Sequence, residues 1–198
     1  MDTSDLIAFA IFVAVMTSTP GPGNLTFMAI GATAGFRAAL PVIVASQLGS
    51  LALNLSVAFG LGTLMADGGP LVNVFKILCL GYMTYLAWRI ISLNIRPLDS
   101  VRLPSFWEGL LIHPLSPKTW AMSLVAYTTF LAGSDQTQFA NGLILASGFI
   151  SGGSIFHSLW AMVGVSVLKL IGEGPLMRAI TIVMAVGMLG ATLWAMII

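Results

Sequence analysis

The chain has 198 residues, 58% of them hydrophobic and only 8% charged, and its mean hydropathy is +0.98. Soluble domains carry about 25% charged residues, so this composition defines an integral membrane protein of single-domain length. A formal net charge of +1 excludes a basic field for nucleic acid, and a lone cysteine, Cys79, excludes an internal disulfide or a cysteine cluster for redox or structural metal work.

The N-terminus starts Met-Asp-Thr-Ser-Asp without a basic region, and its apolar run ends in Pro-Gly rather than at a small-residue cleavage pattern, so it is expected to be retained. At about 20 apolar residues per crossing, six transmembrane helices are expected, near 6–33, 38–65, 70–92, 116–133, 138–168 and 175–197. The first and fifth exceed one straight crossing, so each is tilted, broken or partly interfacial. The connection over 94–112 opens as a polar, proline-punctuated loop, and Phe106 to Ile112 reads as a short interfacial helix. Acidic residues (Asp2, Asp5, Asp67, Asp135) mark one side of the alternating loops and basic residues (Arg37, Arg89, Arg96, Arg102, Lys169, Arg178) the other. The positive-inside rule then puts both termini outside. Lys76 breaks the pattern and is expected to snorkel to the headgroups.

The first span contains TSTPGPGNLTFM, Thr17 to Met28, in which Pro20, Gly21, Pro22 and Gly23 interrupt a helix inside hydrocarbon. A second interruption, HPLSPKTW, His113 to Trp120, stands at the start of span four. A three-span unit inserted twice is inverted the second time, and paired interruptions in corresponding positions mark a transporter's binding site. The expected architecture is therefore all-α, two inverted three-helix repeats (about 1–93 and 113–198), each beginning with a broken helix. Irregular backbone at that depth must line a cavity or be buried by protein; the alternative is a packing kink. Helix N-termini attract carboxylates and exposed C-terminal carbonyls suit ammonium groups. Pro20 to Gly23, Asn24, Ser116, Pro117 and Lys118 are accordingly candidate substrate contacts. Lys118 either adds charge beside the amides or is a cytoplasmic positive-inside residue.

Spans two and five carry polar stripes, Gln47, Ser50 and Asn54 on one and Ser147, Ser151, Ser154 and Ser158 on the other. Each set shares a helical face and is expected to face inward. Gln47 and Asn54 join the candidate site, because a primary amide in hydrocarbon needs several partners. The serines have the plainer option of interhelical bonding, with Ala45, Gly49, Gly148 and Gly152 allowing close approach. His157 is the one titratable residue expected well inside a span. It is either the proton-coupling group or a neutral imidazole hydrogen-bonded between helices. No carboxylate is expected at the midplane, which argues for a neutral substrate. Cys79 and the Met-rich last span read as packing residues, and most of the tryptophans as an interfacial belt.

The segments TPGPGNLTFMAIGATAGFRAAL, KILCLGYMTYLAWR and HPLSPKTWAMSLVAYTTF resemble, at matching spacing, the three signatures of the LysE/RhtB family of amino-acid exporters, the LysE-type translocators. The resemblance implies a bacterial inner-membrane, six-helix exporter of amino acids or derivatives, without cofactor or metal. Several positions depart from the family pattern: Gly23 extends Pro-Gly-Pro-Asn by one residue, Ser116 replaces Asn, Thr128 and Thr129 replace Pro-Gln, and Ser50 stands where Asp is frequent. These bear on the substrate more than on the class. Expected partners are a small-molecule amino acid and the lipid bilayer, with a homodimer allowed and no nucleic acid. With no nucleotide-binding motif, a proton gradient or the membrane potential is the expected energy source. Export of basic amino acids or cations, or a non-transporting membrane subunit, are the alternatives; an enzyme would need a catalytic cluster that the residue counts do not supply.

Overall fold

The computed structural model describes residues 3–61, 69–93, 103–172 and 174–197. The end of the expected second span, the loop before residue 103, and the charges at Asp2, Asp67, Arg96, Asp99, Arg102 and Glu173 lie outside the described residues. Among the described residues the structure is helical without strands: α1 (Thr3–Ser18), α2 (Pro22–Ala34), α3 (Phe36–Ser56), α4 (Pro70–Leu93), α5 (Phe106–Leu111), α6 (Pro117–Phe130), α7 (Gln138–Ile171) and α8 (Pro175–Ile197). Four of these begin on proline. A first-turn residue has no helical acceptor for its amide, so proline there starts a helix at no hydrogen-bond cost.

The expected first span is two helices, α1 and α2, bent by 54°. The second span is α3, which ends in a π-helical turn at Val57–Leu61. Four helices are long and apolar enough to cross a membrane, five if the bent pair is one span. The expected fourth span, 116–133, is shorter than its hydropathy suggested. Helix α6 has 14 residues, about 21 Å at 1.5 Å per residue, against about 30 Å of hydrocarbon. The expected interfacial helix is present as α5, closed by a capping box in which Ser105 Oγ accepts from the Glu108 amide and the Glu108 carboxylate accepts from the Ser105 amide.

Lipid is as apolar as leucine, so helix association in a membrane rests on close packing rather than on water exclusion. Helix α7 supplies the small residues for it. A Cβ on Gly164 would run into the Met28 carbonyl of α2, and one on Gly31 of α2 into the Ala161 carbonyl of α7, so these two backbones touch. Further along α7, Gly142 faces Leu55 and Ala58 of α3, Gly148 faces Phe9 of α1, and Gly152 faces Val13 and Thr17 of α1. Helix α5 packs on α3 the same way, through Gly109 on Val42 and Gly49 on the Leu110 carbonyl. The interhelical role expected of Ala45, Gly49, Gly148 and Gly152 is thus met.

The serine stripe of α7 is a correction. Ser147, Ser151 and Ser154 are exposed and Ser158 half-buried, so the face points outward. Ser147 donates to Ile144 O and Ser158 to Ser154 O, each within its own helix. A serine so bonded faces lipid without an unpaired hydroxyl, and the glycines take the inner face. The stripe on α3 does turn inward: Gln47, Ser50 and Asn54 are all buried. Two apolar clusters fill the interior, one around Phe27, Ile30, Val42, Met83, Leu86 and Met188 with Cys79 buried separately, the other around Phe9, Val13, Leu53, Leu145 and Phe149.

Candidate functional site

The break between α1 and α2 is held by side chains rather than by helix. Asn24 Nδ2 donates to Thr17 O and to Thr19 O, both at 2.8 Å, so the first turn of α2 closes the carbonyl end of α1. Lys118 reaches the same end from α6. Its Nζ donates to Thr19 Oγ1 at 2.8 Å, Thr19 O at 3.2 Å and Pro20 O at 3.3 Å. Lys118 was expected either beside the amides of its own helix or as a cytoplasmic positive-inside residue; its ammonium lies on the carbonyls of the other break. A C-terminal helix end carries partial negative charge, so an ammonium is the favoured occupant.

The two interruptions meet across one polar cleft of about 40 Å3, lined by Thr17, Gly21, Pro22, Gly23, Asn24, Ser50, His113, Ser116, Lys118, Thr119 and His157, with Met16, Met122 and Phe149 as its apolar wall. Two helix N-termini open onto it. In α2 the Gly21 N-cap makes no side-chain bond and Pro22 has no amide, and the ladder starts at Leu25 N donating to Gly21 O. In α6 the Ser116 N-cap likewise makes no side-chain bond, and Thr119 N and Trp120 N both donate to Ser116 O. That leaves the amides of Gly23, Asn24 and Lys118 ahead of their ladders.

The floor is two histidines. His113 and His157 stack with ring centroids 5.2 Å apart, and His157 also packs on Phe27 at 4.7 Å. Gln47 Nε2 stands 3.2 Å from His157 Nδ1, so the amide and the imidazole share a hydrogen bond. Gly153 makes that approach possible, since a Cβ there would fall 2.8 Å from Gln47 Nε2. His113 Nδ1 lies 3.4 Å from Thr119 Oγ1. His113 Nε2, Asn24 Oδ1, Gln47 Oε1 and Asn54 Oδ1 are buried without a partner. Buried polar atoms are nearly always paired; of these four, His113 Nε2 and Asn24 Oδ1 belong to residues that line the cleft, whereas Gln47 and Asn54 stand outside it.

Of the residues chosen from sequence, Gly21, Pro22, Gly23, Asn24, Ser116, Lys118 and His157 line the cleft. Pro20 supplies a carbonyl to Lys118 and Pro117 starts α6. Gln47 lies outside the cleft, hydrogen-bonded to His157. Asn54 stands behind Ser50, donating to its carbonyl and hydroxyl. Sequence reasoning missed His113 and Thr17. His113 was in view as the first residue of HPLSPKTW, and a histidine beside a membrane-depth proline was the available signal; Thr17 carries none.

A polar cleft at the meeting point of two broken helix ends, inside an apolar helical bundle, is the architecture of a small-molecule translocator. The chain belongs to the LysE type translocator family, whose model matches residues 14–197. It is 26% identical over 165 residues to the cysteine/O-acetylserine efflux protein of Salmonella typhimurium (strain LT2), covering 80% of this chain and 82% of the relative. It is equally 26% identical over 162 residues to the protein of the same description in Escherichia coli (strain K12), with the same coverage. No solved structure matches the chain.

Proposed function

We propose that the chain exports a small neutral amino acid, or a close derivative, across the bacterial inner membrane by alternating access, with the polar cleft as its binding site. The observation that carries the reading is the convergence of two uncapped helix N-termini on buried, unpartnered acceptors. A zwitterion needs both. Its carboxylate accepts from the amides of Gly23, Asn24 and Lys118, and its ammonium donates to Asn24 Oδ1. At roughly 10–15 Å3 per water, the cleft of about 40 Å3 holds about three water-sized groups, which favours a small guest and requires some opening to admit it. No Asp or Glu is among the lining residues, so a cationic side chain would lie uncompensated. The substrates in the relatives' names, cysteine and O-acetylserine, are small and carry no net charge.

In this reading the α1–α2 break and the turn ahead of α6 are the matching interruptions of two inverted three-helix repeats, α6 and the turn before it forming the fourth of six crossings. Both termini face outward, and His157 carries the coupling proton of an exporter driven by the proton gradient or the membrane potential. Counterflow in proteoliposomes over a panel of labelled neutral and basic amino acids tests it: exchange of small neutral substrates alone is expected. Replacing Pro20, Gly21, Pro22 and Gly23 by alanine should abolish exchange while membrane abundance survives. Wild-type exchange in that variant would reduce the break to a kink.

A further inference from the structure

The carbonyl end of α1 is occupied by an ammonium of the protein itself. Three oxygens, Thr19 Oγ1, Thr19 O and Pro20 O, surround Lys118 Nζ at 2.8 to 3.3 Å, from a helix nearly a hundred residues away in the chain. None of the three carries formal charge, and together with the negative end of the α1 dipole they form the kind of oxygen set that holds a monovalent ion.

A second observation points to the same contact. Gly21 has φ −167° and ψ 175°, extended backbone open to any residue, so conformation does not demand glycine there. A Cβ on Gly21 would stand 3.0 Å from Lys118 Nζ and 3.1 Å from its Cδ, contacts that the flexible end of the lysine would have to yield to, so glycine lets the ammonium sit at the break without a shift.

We propose that the end of α1 is a monovalent-cation site whose resident ion is the Lys118 ammonium, so that the native protein needs no metal ion there and a Na+- or K+-sized ion takes the site once the ammonium is removed. Broken helices of transporters offer unwound carbonyls to coupling ions; here a tethered ammonium fills that place. The inference rests on the transporter reading for its role in export, and on Thr19, Pro20, Gly21 and Lys118 alone for the site itself.

Thermal unfolding of the purified full-length protein in detergent, in about 100 mM NaCl, KCl or choline chloride, tests the site without a transport assay. Lys118→Ala should show a Tm at least about 3 °C higher in NaCl or KCl than in choline chloride, as a ligand bound only by the folded state requires, while the wild type shows no such difference. Adding Thr19→Val to Lys118→Ala removes the closest oxygen and should erase the response. Lys118→Met, which keeps the aliphatic stem, serves if the alanine variant does not fold. A variant no more cation-sensitive than wild type, or a response that survives Thr19→Val, overturns the proposal. Wild-type counterflow run alongside reports on the transporter reading separately, since its absence leaves the Tm comparison intact.

Discussion

Asn24→Ala removes the two bonds that join α2 to the carbonyl end of α1, Nδ2 to Thr17 O and to Thr19 O. The two carbonyls fare differently. Thr19 O keeps the Lys118 ammonium, whereas Thr17 O loses the partner that Asn24 gave it at a site where Asn24 itself is 4% exposed. Side-chain hydrogen bonds between membrane helices average about 0.6 kcal/mol and reach about 1.7, so two of them are worth about 1–3 kcal/mol. For a chain of this size each kcal/mol moves Tm by about 2–4 °C, so a fall of about 2–12 °C is expected for the detergent-purified variant. The substitution also deletes Oδ1, a buried acceptor without a partner on a residue that lines the cleft, so exchange in proteoliposomes should drop more than stability alone explains. Asn24→Asp separates the two effects, because it keeps an acceptor in the cleft and loses both donors: it should be at least as destabilised as alanine. A Tm within about 1 °C of wild type for both variants would refute the idea that Asn24 holds the break.

Gly31→Ala drives a methyl into the Ala161 carbonyl and should cost about 1–3 kcal/mol or more, read as lost thermal stability and membrane abundance; Gly190→Ala in α8, with nothing within 4 Å of its Cβ, should be neutral or slightly stabilising. At the interfacial α5, burial raises the Glu108 carboxyl, but the hydrogen bonds from Tyr85 and Ser105 and the charge of Arg89 outweigh it and hold it below its ordinary 4.5. A lowered folded value means that the contribution of Glu108 is fully present above about pH 4.5 and is lost as pH falls through the lowered value, so a Tm-against-pH series for Glu108→Gln should be flatter on its acid side than wild type. His157→Gln keeps a partner for Gln47 but cannot titrate near neutrality; in proteoliposomes it should exchange substrate while losing the response of export to an imposed pH gradient, and an unchanged response would move the coupling elsewhere.

The membrane class, the break at Pro20–Gly23, the short helix beginning at Phe106 and the inward face of Gln47, Ser50 and Asn54 were legible because each has a local cause: hydropathy, a missing amide, an apolar run after a proline-punctuated loop, a primary amide that must find partners. The orientation of α7 was misread for the opposite reason. Serine at helical spacing looks polar, but it satisfies itself on its own helix, and in lipid the inner face is chosen by the residues that permit close packing, here Gly164 against the α2 backbone and Gly142, Gly152 and Gly153 against the side chains of Leu55, Val13 and Gln47. Length misled at α6 too, since the expected span ran to residue 133 whereas the helix stops at Phe130, before a turn over 131–133.

The site was half legible, and the division follows from what one strand of sequence can encode. That two breaks border one cavity follows from their being breaks, because loose backbone at membrane depth has to line something. Which break each side chain serves does not follow. Lys118 sits at the N-terminal end of α6, where the dipole disfavours a cation, and sequence logic keeps it beside its own amides; its long stem instead carries the charge to the end of α1, where the dipole favours it. The same crossing leaves the α6 amides free of their own lysine and the α1 carbonyls closed by it. The cleft is thereby left with donors for an anion, and with Asn24 Oδ1 and His113 Nε2 as its open polar atoms. Asn24 completes the exchange in reverse, sending its donor back to α1 while its oxygen stays in the cleft. The α1 end is finished by residues of α2 and α6 while the α2 and α6 N-termini stay uncapped, which is why neither break could be interpreted alone.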